Sequence, residues 1–396
     1  MSLKEKLFKQ LEENEQRMIE IRRHLHENPE LSFKEEKTAQ FIEEFYKDKD
    51  VTLTANVGNG YGIIVEIEGG AGDGPTLGLR ADFDALPIQE EADVEFKSKN
   101  DGVMHACGHD GHTAYMLILG EALIDLKDEW KGRIKIIHQH AEEIPPGGAK
   151  SIVSSGILDD LDEVYGIHLM PTLDNGHITL CPGEAMTGRS NFDLKIQGSG
   201  GHGAMPHTTH DALVAGAYFI TSAQTIVSRR MNPNDSVTVS ITAFDAPGGY
   251  NVIQDSVTLR GTVRYLSMDN KEKVYEEMAQ LVKGLEVTYG VECTLNYVYD
   301  YSVLYNTVEK IGEIETLLAE SAGTYFEKVY RDKPQAASED FAYYLEKTPG
   351  AFFFVGAKPD GVETAYPNHH PKFEVNEKSL LISAKAMAEV VLNKLG

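Results

Sequence analysis

The sequence is poor in cysteine, tryptophan and positive charge. Its 396 residues hold three cysteines (Cys107, Cys181 and Cys293), one tryptophan, and 37 basic side chains against 62 acidic ones. Three scattered cysteines exclude a disulfide scaffold, and free thiols point to a reducing, cytoplasmic setting. A formal charge of −25 repels phosphate backbones and anionic lipid. Neither nucleic acid nor a membrane surface is therefore an expected partner. No apolar run approaches the roughly 20 residues that a membrane-spanning helix needs. The opening "MSLKEKLFKQLEENEQRM" is charged and lacks the apolar stretch of an export signal. Repeats and low-complexity tracts are missing too. What remains is ordinary globular composition, 41% hydrophobic and 25% charged, in a chain long enough for two domains.

Residues 3–28 read as one amphipathic helix, stopped by Asn28-Pro29. Short apolar runs follow: "YGIIVEIEG", "TLGLRAD", "GRIKIIHQH" and "EVYGIHL". Helical patterns such as "TAYMLILGEALIDL" and "AKSIVSSGIL" lie between them. This alternation predicts an α/β fold with a largely parallel, mixed sheet flanked by helices. The middle of the chain reads strand–helix–strand–strand–helix–strand, the βαββαβ order of small ferredoxin-like domains. It is expected as an insertion at 187–298, so that 1–186 and 299–396 together make the other domain. A helix from Val308 to Ala322, the strand "GAFFFVG" and a last helix from Glu377 complete that domain.

One stretch concentrates chemistry. "MHACGHDGHTAYM" puts His105, Cys107, His109, Asp110 and His112 within a few residues. Cys107 and His109 are two apart and would share one side of an extended segment, as two ligands of one ion must. Thiolate and imidazole suit Zn, and Mn, Co or Ni are compatible. Further ligands must come from elsewhere. Glu142 and Glu143 follow the apolar run "GRIKIIHQH", at the strand edge where open α/β sheets gather catalytic groups. His168 ends another apolar run, and His369 and His370 lie in the Pro-bounded "YPNHHPKF". A rival reading makes Cys107 a thiolate nucleophile activated by histidine, but it leaves Glu142, Glu143 and His168 without a purpose.

The sequence resembles the M20 family of metallopeptidases and amidohydrolases. Within it the closest branch is subfamily D, of N-acyl amino acid, hippurate and auxin-conjugate hydrolases. The matching stretches run in family order from residue 22 to 377: "RRHLHENPELSF", "LRADFDALPIQE", "MHACGHDGHT", "HQHAEE", "GIHLMP", "GSGGHGAMPH", "NVIQDSVTLRGTVR", "SEDFAYYL" and "NHHPKFEVNE". The resemblance implies a metal-dependent amidohydrolase with a catalytic α/β domain and an inserted lid that forms a homodimer. It implies two divalent metals per subunit, held by Cys107, His109, Glu143, His168 and His369. The family pattern around the last ligand usually reads Leu-His-x-Pro. Here Asn368 stands at the Leu position, and His370 is the competing neighbour of His369.

Glu142 matches the family's general base. His202 matches the histidine that polarises the scissile carbonyl, commonly across the dimer. Asn251, Arg264 and His207 fall at substrate-binding positions, where Arg264 would pair with a free carboxylate. "RADFDALP" departs from other branches of the family, since Asp82 replaces a metal histidine. Asp82, Asp84 and Asp340 are then expected to support the ligands, not to bind metal. The implied substrates are N-acyl amino acids or small peptides. A dipeptidase, a carboxypeptidase, a deacetylase of a biosynthetic intermediate and a silent metal-binding protein are the alternatives.

Overall fold

A strand that is apolar on both faces is stable only when both faces are covered. In the computed structural model, which describes residues 1–396, Thr76–Asp82 and Gly350–Gly356 are buried at every position. Arg133–Gln139 is buried after its first residue, and Glu163–Met170 is buried except at its ends. These four strands run parallel at the middle of an eight-stranded sheet. The order across it is Thr52–Val57, Gly62–Glu68, Arg133–Gln139, Thr76–Asp82, Glu163–Met170, Gly350–Gly356, His177–Leu180 and Lys328–Arg331. Gly62–Glu68 joins antiparallel to Arg133–Gln139, which makes the sheet mixed.

Helix His109–Asp125 is buried on nearly every face, as its almost unbroken apolar sequence requires. Helices Glu15–Glu27 and Lys378–Leu395 pack against it. The long helix expected over 3–28 is two, Leu3–Glu13 and Glu15–Glu27. Asn14 breaks it. Its side-chain amide donates to Gln10 O at 2.9 Å, and asparagine competes in this way with the helical ladder.

The chain divides into two compact units. The first comprises Met1–Gly183, Tyr305–Lys333 and Asp340–Gly396, and the second Glu184–Leu304 with Pro334–Glu339. The second unit follows the order strand Gly188–Gln197, helix Ala212–Thr225, strands Val237–Asp245 and Ser256–Tyr265, helix Met268–Tyr289 and strand Glu292–Tyr301. Its sheet is antiparallel, with Val237–Asp245 and Glu292–Tyr301 at the edges. Strand Gly188–Gln197 alternates buried and less buried positions, the period-two signature of a sheet with one covered face. Its inward residues Phe192, Leu194 and Ile196 pack with Phe219, Leu259 and Met278.

Candidate metal centre

The metal-capable loop is pinned before it reaches its ligands, because Met104 and Leu86 exchange backbone hydrogen bonds at 3.0 Å. Gly108 then turns the chain with φ +92°, and His109 begins a helix. Cys107 and His109 thus converge across a left-handed turn, not along an extended segment as their spacing suggested. A glycine suits that conformation because a Cβ would clash with the backbone. At Gly111 the reason is space. A Cβ there would lie 2.7 Å from Leu169 Cδ1, so the first helical turn sits directly on the strand that carries His168.

Three overlapping groups of ligand atoms result, each with its members within 4.8 Å of one another. They are Cys107–His109–His168, Cys107–Glu143–His369 and His109–Glu142–Glu143. The structure therefore brings together Cys107, His109, Glu142, Glu143, His168 and His369, drawn from four separate places in the chain. His369 has φ +68°, and its Nε2 is 3.2 Å from Glu143 Oε1. His370 is turned elsewhere. It stacks on Tyr366 with ring centroids 4.3 Å apart, and its Nδ1 accepts the Lys372 N–H.

Neighbours fix which nitrogen each histidine offers. His109 Nδ1 lies 3.0 Å from Asp84 O and 3.1 Å from Asp84 Oδ1. Both oxygens only accept, so Nδ1 donates and the Nε2 lone pair is exposed to the cluster. His168 Nδ1 donates to Leu169 O at 2.8 Å, and its Nε2 faces Cys107 Sγ at 3.4 Å. Such locking is the usual support of metal-binding imidazoles. His109 Nε2 is buried and lacks a hydrogen-bond partner, and Glu143 Oε1 meets His369 Nε2 at 3.2 Å. Leaving an atom such as His109 Nε2 unsatisfied costs about 1–3 kcal/mol, and a divalent cation would remove that cost. Burial, with Glu143 adding to it, pushes the Cys107 thiol up, another penalty that a bound cation reverses. The donor set of one thiolate, three imidazoles and a carboxylate fits a borderline-soft divalent ion.

Asp82, His109 and His112 form a further group, but the acceptors of Asp82 and His112 are taken. Asp82 Oδ2 accepts from Arg80 Nη1 at 2.5 Å and Oδ1 from His112 Nδ1 at 2.6 Å. His112 Nε2 accepts the Leu169 N–H at 2.9 Å. This group orders the strand that carries His168. Asp340 accepts from Arg80 Nη2, Gln139 Nε2 and the Ala149 N–H at 2.8–3.1 Å. It thereby grips the segment on either side of the two glutamates.

Glu142 and Glu143 sit just past the end of strand Arg133–Gln139, where Ala141 adopts φ +51°. The Ala141 N–H donates to Glu35 Oε1 at 2.8 Å, and the Glu143 N–H donates to Asp84 Oδ2 at 3.0 Å. Glu142 is 5% exposed. Glu35 is fully buried, and that burial, reinforced by Asp84, raises its carboxyl to about 8.

His202, His207, Asn251 and Arg264 belong to the second unit. His202 pairs with Val252 in a two-residue ladder, and the Gly203 N–H donates to Asn251 O at 2.9 Å. His202 and Asn251 are therefore neighbours through the backbone. The Ala204 N–H donates to His202 Nδ1 at 3.1 Å, so in the neutral ring the proton resides on Nε2. His207 is exposed in the turn Pro206–Thr208. Arg264 is half-buried opposite Arg189 in the sheet. Arg189 pairs with Asp300 at 3.1 Å, whereas Arg264 donates to Thr262 Oγ1 and Val263 O.

Sequence reasoning passed over a buried ionic array behind the metal loop. Asp110, next to His109, lies 2.8 Å from both Arg22 Nε and His26 Nδ1, and His26 Nε2 lies 3.1 Å from Glu90. The available signal was spacing. Met18, Arg22 and His26 recur every four residues on the buried face of one helix, so a charged and a titratable group point inward with the apolar ones.

The model of Peptidase family M20/M25/M40 matches residues 78–393. A protein of Bacillus subtilis (strain 168) described as an amidohydrolase is 43% identical over 387 residues, covering 98% of this chain and 97% of its own. An N-acyl-L-amino acid amidohydrolase of Geobacillus stearothermophilus is 41% identical over 303 residues, covering 76% and 81%. A crystal structure described as a dinuclear metal binding peptidase of the M20 family, from Bacillus subtilis, superposes with a TM-score of 0.82. It is 31% identical and covers 96% of this chain and 98% of its own.

Proposed function

Because this chain belongs to peptidase family M20/M25/M40, a family of hydrolytic enzymes, we propose that it hydrolyses the amide bond of N-acyl amino acids or small peptides at a pair of divalent metals. The observation that carries this reading is the set of overlapping ligand groups that share Cys107, with the buried His109 Nε2 unpartnered among them. Cys107, His109, Glu143, His168 and His369 would hold the two ions, of the Zn, Mn, Co or Ni class. When bound, the metals polarise the scissile carbonyl and lower the pKa of the attacking water.

The remaining chemistry falls to the chain's own groups. Glu142 lies beside the ligands without being needed as one. It takes a proton from the attacking water and delivers it to the leaving nitrogen. We assign His202 to the oxyanion. Its Nε2–H, fixed by the Ala204 contact, is a donor of the kind that a developing negative charge requires. Arg264 spends its hydrogen bonds on neutral oxygens, those of Thr262 and Val263, which supports a role in holding the substrate's free carboxylate. Asn251 and His207 are assigned to the substrate on the family pattern.

A homodimer is the assembly we propose, through the second unit. The outward face of helix Ala212–Thr225 exposes Leu213, Val214 and Tyr218, an apolar face that a second copy would cover. The three free cysteines support a cytoplasmic setting.

The test is hydrolysis of a panel of N-acetyl amino acids, hippurate and dipeptides by metal-quantified protein. Cleavage of the N-acyl substrates with release of the free amino acid is the expected result. Cleavage of dipeptides alone would replace this reading with a dipeptidase. Full metal occupancy with no hydrolysis across widened acyl groups would leave the silent metal-binding reading.

A further inference from the structure

Asn368 lies against Cys107. Its Nδ2 is 3.3 Å from Cys107 O and 3.5 Å from Cys107 Sγ. The amide cannot be reversed without loss, because a backbone carbonyl only accepts and so requires the –NH2 end. That group has two protons. One serves the carbonyl, and the other is available to the sulfur.

The loop that carries Asn368 is held at this spot. The adjacent His369 N–H donates to Ala106 O at 2.7 Å, and His369 takes the left-handed φ of +68°. A non-glycine residue in that region is strained, and such strain persists where surrounding contacts impose it. The turn lets neighbouring side chains work on one target. His369 falls in a ligand group with Cys107 and Glu143, while Asn368 reaches the same cysteine from the next position.

We propose that Asn368 is a positioning residue for the Cys107 sulfur, donating an N–H···S hydrogen bond that tempers the thiolate's donation to the metal. This rests on the metal reading above. A thiolate pushes electron density onto its ion. A donor aimed at the sulfur holds that density back and leaves the ion a stronger Lewis acid. The leucine usual at this place in the family pattern would offer no such donor.

Cobalt reports on the sulfur directly. The full chain is stripped of metal and reloaded with Co²⁺ alone. The sulfur-to-cobalt charge-transfer absorption is then recorded for the wild type, Asn368→Leu and Asn368→Asp. Aspartate keeps the size and shape of asparagine but carries no N–H, so it serves even if the leucine variant folds poorly. In both variants the band should move to lower energy with cobalt still bound, because the sulfur electrons are held less tightly. An unmoved band, whatever the change in thermal stability, would mean that Asn368 only packs. A move to higher energy would overturn the proposal as well. A wild type that binds cobalt with no sulfur band would instead sink Cys107 as a ligand, and with it the reading on which this inference stands.

Discussion

Asp84 locks His109 in one tautomer, accepting from Nδ1 through both its carbonyl and its Oδ1. Its other carboxylate oxygen accepts the Glu143 N–H at 3.0 Å and the Ser32 hydroxyl at 2.6 Å. One buried side chain thus aligns an imidazole and a carboxylate of the same cluster. Asp84→Asn would keep one acceptor but set an –NH2 against the Glu143 N–H, donor against donor. Metal affinity should fall about 10- to 100-fold. Titration against a chromophoric chelator measures it, and unchanged affinity would show that the lock is dispensable.

Glu142 is assigned proton transfer, not metal binding. Glu142→Gln should lower hydrolysis by about 10²-fold or more while bound metal, measured by elemental analysis, stays at the wild-type level. Loss of metal along with activity would move Glu142 into the ligand set.

Glu35 gives a pH signature to the metal-free protein. Its carboxyl is raised from 4.5 to about 8 in the folded state, by burial first and Asp84 second. A raised carboxyl binds its proton more tightly when folded. Its contribution is therefore full below pH 4.5 and fades as pH rises through about 8. Glu35→Gln mimics the protonated form and keeps an oxygen for the Ala141 N–H. The variant should gain stability relative to wild type across that window, on the order of a few kcal/mol at its upper end. Urea melts at a series of pH values give the difference, and a flat difference would refute the assignment.

The proposed dimer depends on an apolar helix face. Tyr218 is 56% exposed there. Tyr218→Glu should leave the fold intact by circular dichroism and convert the sedimenting species to a monomer. A variant that still sediments as the wild type would place the interface elsewhere.

The strands and the inserted βαββαβ order were legible because their signals are local. Runs such as "GAFFFVG" and "GRIKIIHQH" admit few alternatives to burial in a sheet. The metal-capable side chains were legible as types, since Glu143 and His168 follow or end apolar runs and Cys107, His109 and His369 stand in short stretches crowded with metal-capable groups. Their convergence was not. It depends on Gly108 at φ +92° and His369 at φ +68°, and spacing alone does not report backbone sign. The array of Arg22, His26, Glu90 and Asp110 was hidden for another reason. Its members come from three distant segments, and only tertiary packing makes them partners. Asn14, which splits the first helix, shows the limit at the smallest scale. Here a weak helix former ends the helix because its side chain finds a backbone carbonyl.

The order of the ligands along the chain has a consequence for synthesis. A ribosome releases Cys107, His109, Glu143 and His168 before any of the second unit, and His369 only after it. Strand Gly350–Gly356, which lies between Glu163–Met170 and His177–Leu180 in the sheet, is also made late. The nascent first unit therefore waits with a gap in its sheet and an open coordination set while the insertion is translated and folds. On the proposed ligand set, the metals would be captured in full only once that late strand has slotted in and the His369 loop has followed it. Cofactor loading would then be an event of completion, timed by the fold itself.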